Sequence, residues 1–334
     1  MSSDVTNPVR GQDEDASADV CDLRKWAYLY CWKDWLPRLA EKALPERWDF
    51  SPSDCDEDGS PRYAILDSYL RYTFWRLVHE EKVCENARDG FAAYNTGLVD
   101  RSYESIYACF EANDRPGMQP WKLIGFYCAG EERVGDRLVR TFNPLPQRAR
   151  YLKRLEDVLY DDSQVPVLDY EHILLDNIDR LPQSFLEREL YDSPKLIALV
   201  KRGFSAVDDP TAAESEGRAA LDELKRKLPN DGVHWMRLKN ALDVAVNLAL
   251  ERVKWSYRTA VPAYYPRANS VNLLLPLDLT EDAEPDMALV LERTASGSYI
   301  GQTILTPRMA YCDARLVCRP DVDWLDESFE NGAS

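Results

Sequence analysis

The sequence has no G-x-x-x-x-G-K-[ST] loop, no G-x-G-x-x-G, no G-x-S-x-G and no H-E-x-x-H. These absences remove the familiar phosphate cradles, the nucleophile elbow and the paired-histidine zinc helix as a basis for function. The two glycines of "SGSYIG" (296–301) lie between strand-like runs, where a hairpin turn accounts for them better than a phosphate loop. Eight cysteines are scattered through 334 residues without one C-x-x-C pair, which argues for reduced, packed or incidental thiols and against a structural metal. No apolar run approaches the ~18 residues of a membrane span. The opening stretch "MSSDVTNPVRGQDEDASADV" is polar and acidic, unlike a secretory signal or a transit peptide. The expectation is a cytoplasmic protein with no membrane contact.

What is present is an ordinary globular composition, 45% hydrophobic and 30% charged, enough for a sizeable core. The net charge of −17 opposes a whole-surface affinity for nucleic acid. Its distribution is uneven, because residues 91–155 hold 10 Lys/Arg against 7 Asp/Glu inside this acidic chain. Ten aromatic residues are interleaved with that basic block, from Phe91 to Tyr151. Rings beside guanidinium groups suit single-stranded RNA or a nucleotide, since rings stack on bases and arginines pair with phosphates. A packed sheet with a charged surface is the other reading, because strand alternation hides about half of such rings.

The chain reads as α+β: two antiparallel β-meanders, about 91–143 and 257–305, with helices before, between and after. Residues 1–20 are expected to be disordered, 21–326 to form a single domain, and 327–334 to be a tail. Helical texture covers 22–83, with Trp26, Leu29 and Tyr30 on one face and an interruption near Pro37. "DRLVRTF" (136–142) reads as a further strand of the first meander. Helices are expected over 169–188, 192–203, 211–228 and 233–256. The last carries a buried stripe of Leu238, Leu242, Ala245, Ala249 and Val253, opposite Asn240, Asp243, Asn247 and Glu251. Thr306 followed by Pro307 predicts the cap and first residue of a final helix. No internal repeat is visible.

"YNTGLVDRSYESIY" (94–107) breaks a strand-like run with Asn95-Thr96-Gly97, residues that favour left-handed backbone, so a turn is expected. Such a turn lets backbone approach a ligand closely, provided that Arg101, Arg140 and Arg148 gather around it to hold phosphate. On the 169–188 helix, Leu174, Ile178, Leu181 and Phe185 share one stripe, while His172, Asp176 and Asp179 face the other way beside Arg180. His172 and Asp176, four apart, suit an acid/base pair; a solvated face is equally compatible with the spacing. No cofactor or metal is implied.

The segments "YNTGLVDRSYESIYACF", "DMALVLER" and "YIGQTILTPRMAYCDARLVCRPDVDWL", with "LAEKALPERWDF" and "ILDSYLRYTFWRLVHEEKV", resemble a bacterial family known only as a domain of unknown function. Some of its members are described as cold-shock-type nucleic-acid-binding proteins. The resemblance runs from Asp22 to Leu325. It brings no activity and no catalytic residue, but implies RNA or nucleic-acid metabolism and a separate nucleic-acid-binding protein as partner. The chain departs from the family pattern at Pro307-Arg308, where Leu-Asp is expected, and at Cys312-Asp313, where Asn-Asn is expected. Three expectations follow: a binder of nucleotide or single-stranded RNA; a metal-assisted phosphodiester hydrolase using His172, Asp176 and Asp179; or an interaction module that exposes Trp26, Trp32 and Trp35.

Overall fold

The computed structural model describes residues 22–50, 62–154, 157–205 and 210–326. The expected disordered start and the tail after 326 lie outside them. The fold is α+β, and the chain divides into two compact units, Met1–Arg150 and Tyr151–Ser334. The boundary falls inside the basic block. No helix among the described residues is long and apolar enough to cross a membrane.

The first unit is built on a five-stranded sheet in the order β1-β5-β4-β3-β2. Its strands are β1 (Ala27–Tyr28), β2 (Cys84–Asn86), β3 (Phe91–Val99), β4 (Ser105–Ala112) and β5 (Trp121–Tyr127). Strands β2 to β5 form an antiparallel meander, and β1 joins β5 in parallel. Two helices precede the meander, α1 (Leu23–Trp26) and α2 (Trp32–Lys42). The helical run expected from Asp22, with its interruption near Pro37, is broken earlier, because Ala27 and Tyr28 leave it to pair with the sheet edge and Cys31 turns left-handed at φ 53°. Pro37 sits inside α2 without ending it.

Helix α3 (Ala64–His79) meets its expectation: Ile65, Tyr69, Phe74 and Leu77 recur on one face and are all buried. With Trp26 it covers one side of the sheet, where the Phe74, Tyr94 and Phe110 rings meet at 5.4 and 5.7 Å. The other side, with Phe91, Ala93, Tyr107 and Cys109, is closed by Leu138 of α4 (Glu132–Thr141). The expected strand "DRLVRTF" is therefore part of a helix. Val134, Leu138 and Phe142 recur at intervals of four and pack together on this cluster, a helical rather than a β period.

The second unit repeats the topology. Strand β6 (Val167–Leu168) pairs in parallel with the last strand of an antiparallel meander, giving the order β6-β10-β9-β8-β7. The meander is β7 (Val261–Tyr265), β8 (Ser270–Leu277), β9 (Met287–Arg293) and β10 (Tyr299–Leu305). In both units a short first strand, intervening helices, four antiparallel strands and a closing helix follow in the same order. This likeness was invisible in the sequence because the stretches between first strand and meander differ in length and content.

Between β6 and β7 lie α5 (Gln183–Glu189), α6 (Pro194–Phe204), α7 (Pro210–Lys227) and α8 (Gly232–Trp255). All five stripe residues of α8 are buried, against a core that includes Leu273, Leu275, Leu289 and Leu291. The expected helix over 169–188 is instead a π turn at His172–Asp176, a 3-10 turn at Ile178–Arg180, and α5. Pro182 stands before α5 as its cap, a place where a missing N–H removes no helical bond. The closing helix α9 (Pro307–Val317) begins as expected, with the Thr306 hydroxyl accepting from the Met309 N–H. It packs on β7, β9 and β10, and a short α10 (Asp323–Asp326) follows.

Candidate functional site

Asn95, Thr96 and Gly97 lie within β3, not in a turn between strands; the register to β4 slips between Asn95 and Val99. The slip is a bulge stapled from within. The Asn95 Oδ1 accepts the Gly97 N–H at 2.9 Å, and its amide donates to the Pro146 carbonyl at 3.3 Å. The buried Thr96 hydroxyl donates to the Ile106 carbonyl at 2.6 Å. Gly97 takes φ +77°, and a Cβ there would stand 2.5 Å from the Tyr69 hydroxyl. All three residues thus serve the sheet and its contact with α3.

The three arginines sit apart from this bulge in the chain and are exposed. Arg101 is in the β3–β4 turn, Arg140 pairs with Asp136 at 2.7 Å along α4, and Arg148 follows α4, its carbonyl accepting from Lys82. Of the ten rings in the basic block, Phe91, Tyr94, Tyr107, Phe110, Trp121, Phe126 and Tyr151 are buried, and only Tyr103 is fully exposed. Helices cover both sides of this sheet, so among the described residues it presents no open aromatic face. Trp26, Trp32 and Trp35 are half-buried, their indoles donating to Glu85, Asp67 and the Tyr30 carbonyl.

Beyond β3 and β5, Asp100, Glu104 and Cys128 bring their ligand atoms within 4.8 Å of one another. Asp100 Oδ1 already accepts the Ser102 and Glu104 N–H groups, and the Cys128 thiol points to Oδ2 at 3.8 Å. Burial, with help from Asp100, Glu131 and Glu104, pushes that thiol up to about 11. The thiol donates to the Asp100 carboxylate across the ends of β3 and β5.

In the second unit His172 Nδ1 meets Asp176 Oδ2 at 2.9 Å, as the i,i+4 spacing predicts. Both side chains, and Asp179, are exposed. Arg180 is not beside them; it reaches β10 and donates to the Ile304 carbonyl at 2.9 Å.

Two cavities of this unit are lined by neither group. The larger, about 810 Å³, lies where α8 ends, walled by Trp255, Arg252, Arg258, Glu251, Glu284 and Trp324. Its position follows from the chain: α8 stops at Ser256, whose extended backbone leaves Trp255 at the rim, 93% exposed. Across the cavity the Trp324 indole is pinned by donation to the Thr259 carbonyl at 3.1 Å. Arg258 is held by Asp321 at 2.6 Å, and Arg252 lies 3.8 Å from Asp278. Two tryptophans and two arginines line this one cavity. "KWSYRTA" (254–260), where aromatic and cationic residues crowd a helix end, was the available signal.

The smaller cavity, about 480 Å³, is lined by Arg154, Asp157, Asn272, Leu291, Arg293 and Gly297, among others. Here Asp157 accepts the Lys153 and Arg154 N–H groups. Asn272 is 6% exposed, and its Oδ1 is buried without a partner among the described residues. Its signal was an amide inside the otherwise apolar strand "VNLLLPL".

No curated protein and no solved structure matches this chain. Residues 39–324 do match the model of the family described as "Domain of unknown function (DUF3825)". That match spans most of both units, and the chain belongs to this family.

Proposed function

We propose that the protein binds single-stranded RNA or a nucleotide through the tryptophan-lined cavity at the end of α8. The observation that carries the reading is the Trp255 indole, 93% exposed at the rim of an 810 Å³ hollow. An apolar ring of that size is normally withdrawn from water, and an exposed one beside a cavity suits stacking on a flat partner. A base on such a ring gains about 1–3 kcal/mol. Arg252 and Arg258 line the same cavity, paired with Asp278 and Asp321, and are its cationic partners for a phosphate. Glu251 and Glu284 on the same wall oppose phosphate, so stacking supplies most of the affinity.

The resemblance to proteins described as cold-shock-type nucleic-acid binders supports the same reading. It carries with it a bacterial setting and a separate nucleic-acid-binding partner. Arg101, Arg140 and Arg148, exposed on the first unit, are phosphate-contact candidates of that unit taken by itself and are not part of the cleft.

Fluorescence anisotropy with a labelled single-stranded RNA tests it. Trp255→Ala should weaken binding by about tenfold, as the loss of one stacked base implies. The salt dependence should be shallow, a slope near −1.4 or smaller for about two phosphate contacts on a single strand. Unchanged binding by Trp255→Ala would refute the site.

A further inference from the structure

The smaller cavity lies apart from the tryptophan cleft in composition and chemistry. Its wall combines the guanidinium groups of Arg154 and Arg293 with one carboxylate, Asp157, and the Asn272 amide. Arg154 lies 3.8 Å from Asp157, and Asp161 lies near Arg293. Asn272 is the anomaly. It occupies a strand position between Val271 and Leu273, opposite Ala263, where the neighbouring side chains are apolar. A buried amide oxygen without a partner destabilises a fold, and most native structures avoid it. An amide kept at such a position, lining a polar hollow, suits a ligand that completes its hydrogen bonds.

We propose that this cavity binds a nucleoside monophosphate, with the Asn272 amide hydrogen-bonding the base and Arg154 and Arg293 meeting the phosphate. The 480 Å³ volume lies within the range of small-ligand sites. Asparagine presents a donor and an acceptor side by side, the geometry that pairs with the edge of a base. Guanidinium forks match a phosphate monoester. The site is independent of the tryptophan cleft and does not rest on the reading given for it.

The structure also fixes what a substitution should do. Asn272→Leu replaces the unpaired amide with an apolar side chain of the same branching at the edge of the cavity, so the ligand-free protein should melt at a higher temperature while losing the ligand. The test is calorimetric titration of the full chain with AMP, GMP, CMP, UMP and inorganic phosphate, alongside thermal melts. At least one monophosphate should bind and raise the melting temperature. Asn272→Leu should weaken it by about tenfold or more, the discrimination that one such amide contact provides. Arg293→Gln should weaken it too, and decides the matter if the leucine variant does not fold. Trp255→Ala should leave it unchanged.

The proposal is overturned if no monophosphate binds, or if phosphate binds and no nucleotide does. It is equally overturned if Asn272→Leu, or Arg293→Gln in its place, binds as tightly as the wild type. Binding that disappears in Trp255→Ala would assign the ligand to the cleft, and would overturn this proposal without touching that reading.

Discussion

Replacing Gly97 by alanine should destabilise the first unit by about 2–4 kcal/mol. Two effects add. At φ +77° an L-residue pays about 1–2 kcal/mol for its Cβ, partly offset by the lower entropy of the unfolded chain. The new Cβ would also stand 2.5 Å from the Tyr69 hydroxyl. An ordinary contact is about 1 Å longer, and Tyr69 belongs to the buried face of α3, so relief requires shifting a packed ring. Overpacking of this kind costs about 1–3 kcal/mol. Gly117 is an internal control, with φ +78° and nothing within 4 Å of its Cβ position; Gly117→Ala isolates the backbone part, about 1 kcal/mol. Urea unfolding followed by circular dichroism gives both values. A Tyr69→Phe change in the Gly97→Ala background, read as a double-mutant cycle, should return most of the contact part. If Gly97→Ala proves no less stable than Gly117→Ala, the claim that this glycine permits a close approach of α3 and β3 fails.

Two further predictions concern pH. Burial alone pushes the Asp313 carboxyl up to about 7, with no hydrogen bond or ion pair to hold its charge among the described residues. A raised folded-state value means the native state holds its proton longer, so stability falls as pH rises from about 4 to 7. Asp313→Asn should gain up to about 4 kcal/mol at pH 8 and nothing near pH 4; an equal gain at both would refute it. His234 sits between Asp231 at 2.7 Å and Asp192 at 2.8 Å, with Arg237 also on Asp192. Its burial favours the neutral ring, but the two carboxylates prevail and raise it above the ordinary histidine value. Its contribution is therefore full below about pH 6.5 and is lost as pH rises through the raised value. His234→Gln should flatten the decline in urea midpoint between about pH 6 and 8.5, and an unchanged slope would contradict the clamp.

Segments with sustained period or a clear cap were legible: α3 formed within the helical stretch, α8 buried the stripe its spacing named, and α9 began at its Thr306 cap. Local statistics failed where a non-local partner decided. Asn95-Thr96-Gly97 has the composition of a turn, yet pairing with β4 on either side makes it a bulge. Ala27 and Tyr28 look helical until β5 takes them as an edge strand. The burial of the aromatic block was hidden for a related reason: alternation leaves rings exposed only when one face of a sheet is bare, and here helices close both. The site residues were harder still. Trp255 stands out only once α8 is known to end beside it, and Asn272 only once its strand is known to be buried.

Photo-cross-linking with 4-thiouridine-bearing single-stranded RNA, mapped by peptide mass spectrometry on the full chain, confronts the tryptophan cleft most directly. Adducts should concentrate in peptides carrying Trp255 and Trp324, and fade in Trp255→Ala. Adducts confined to the stretch from Arg101 to Arg148, or none at any RNA concentration used, would contradict the assignment.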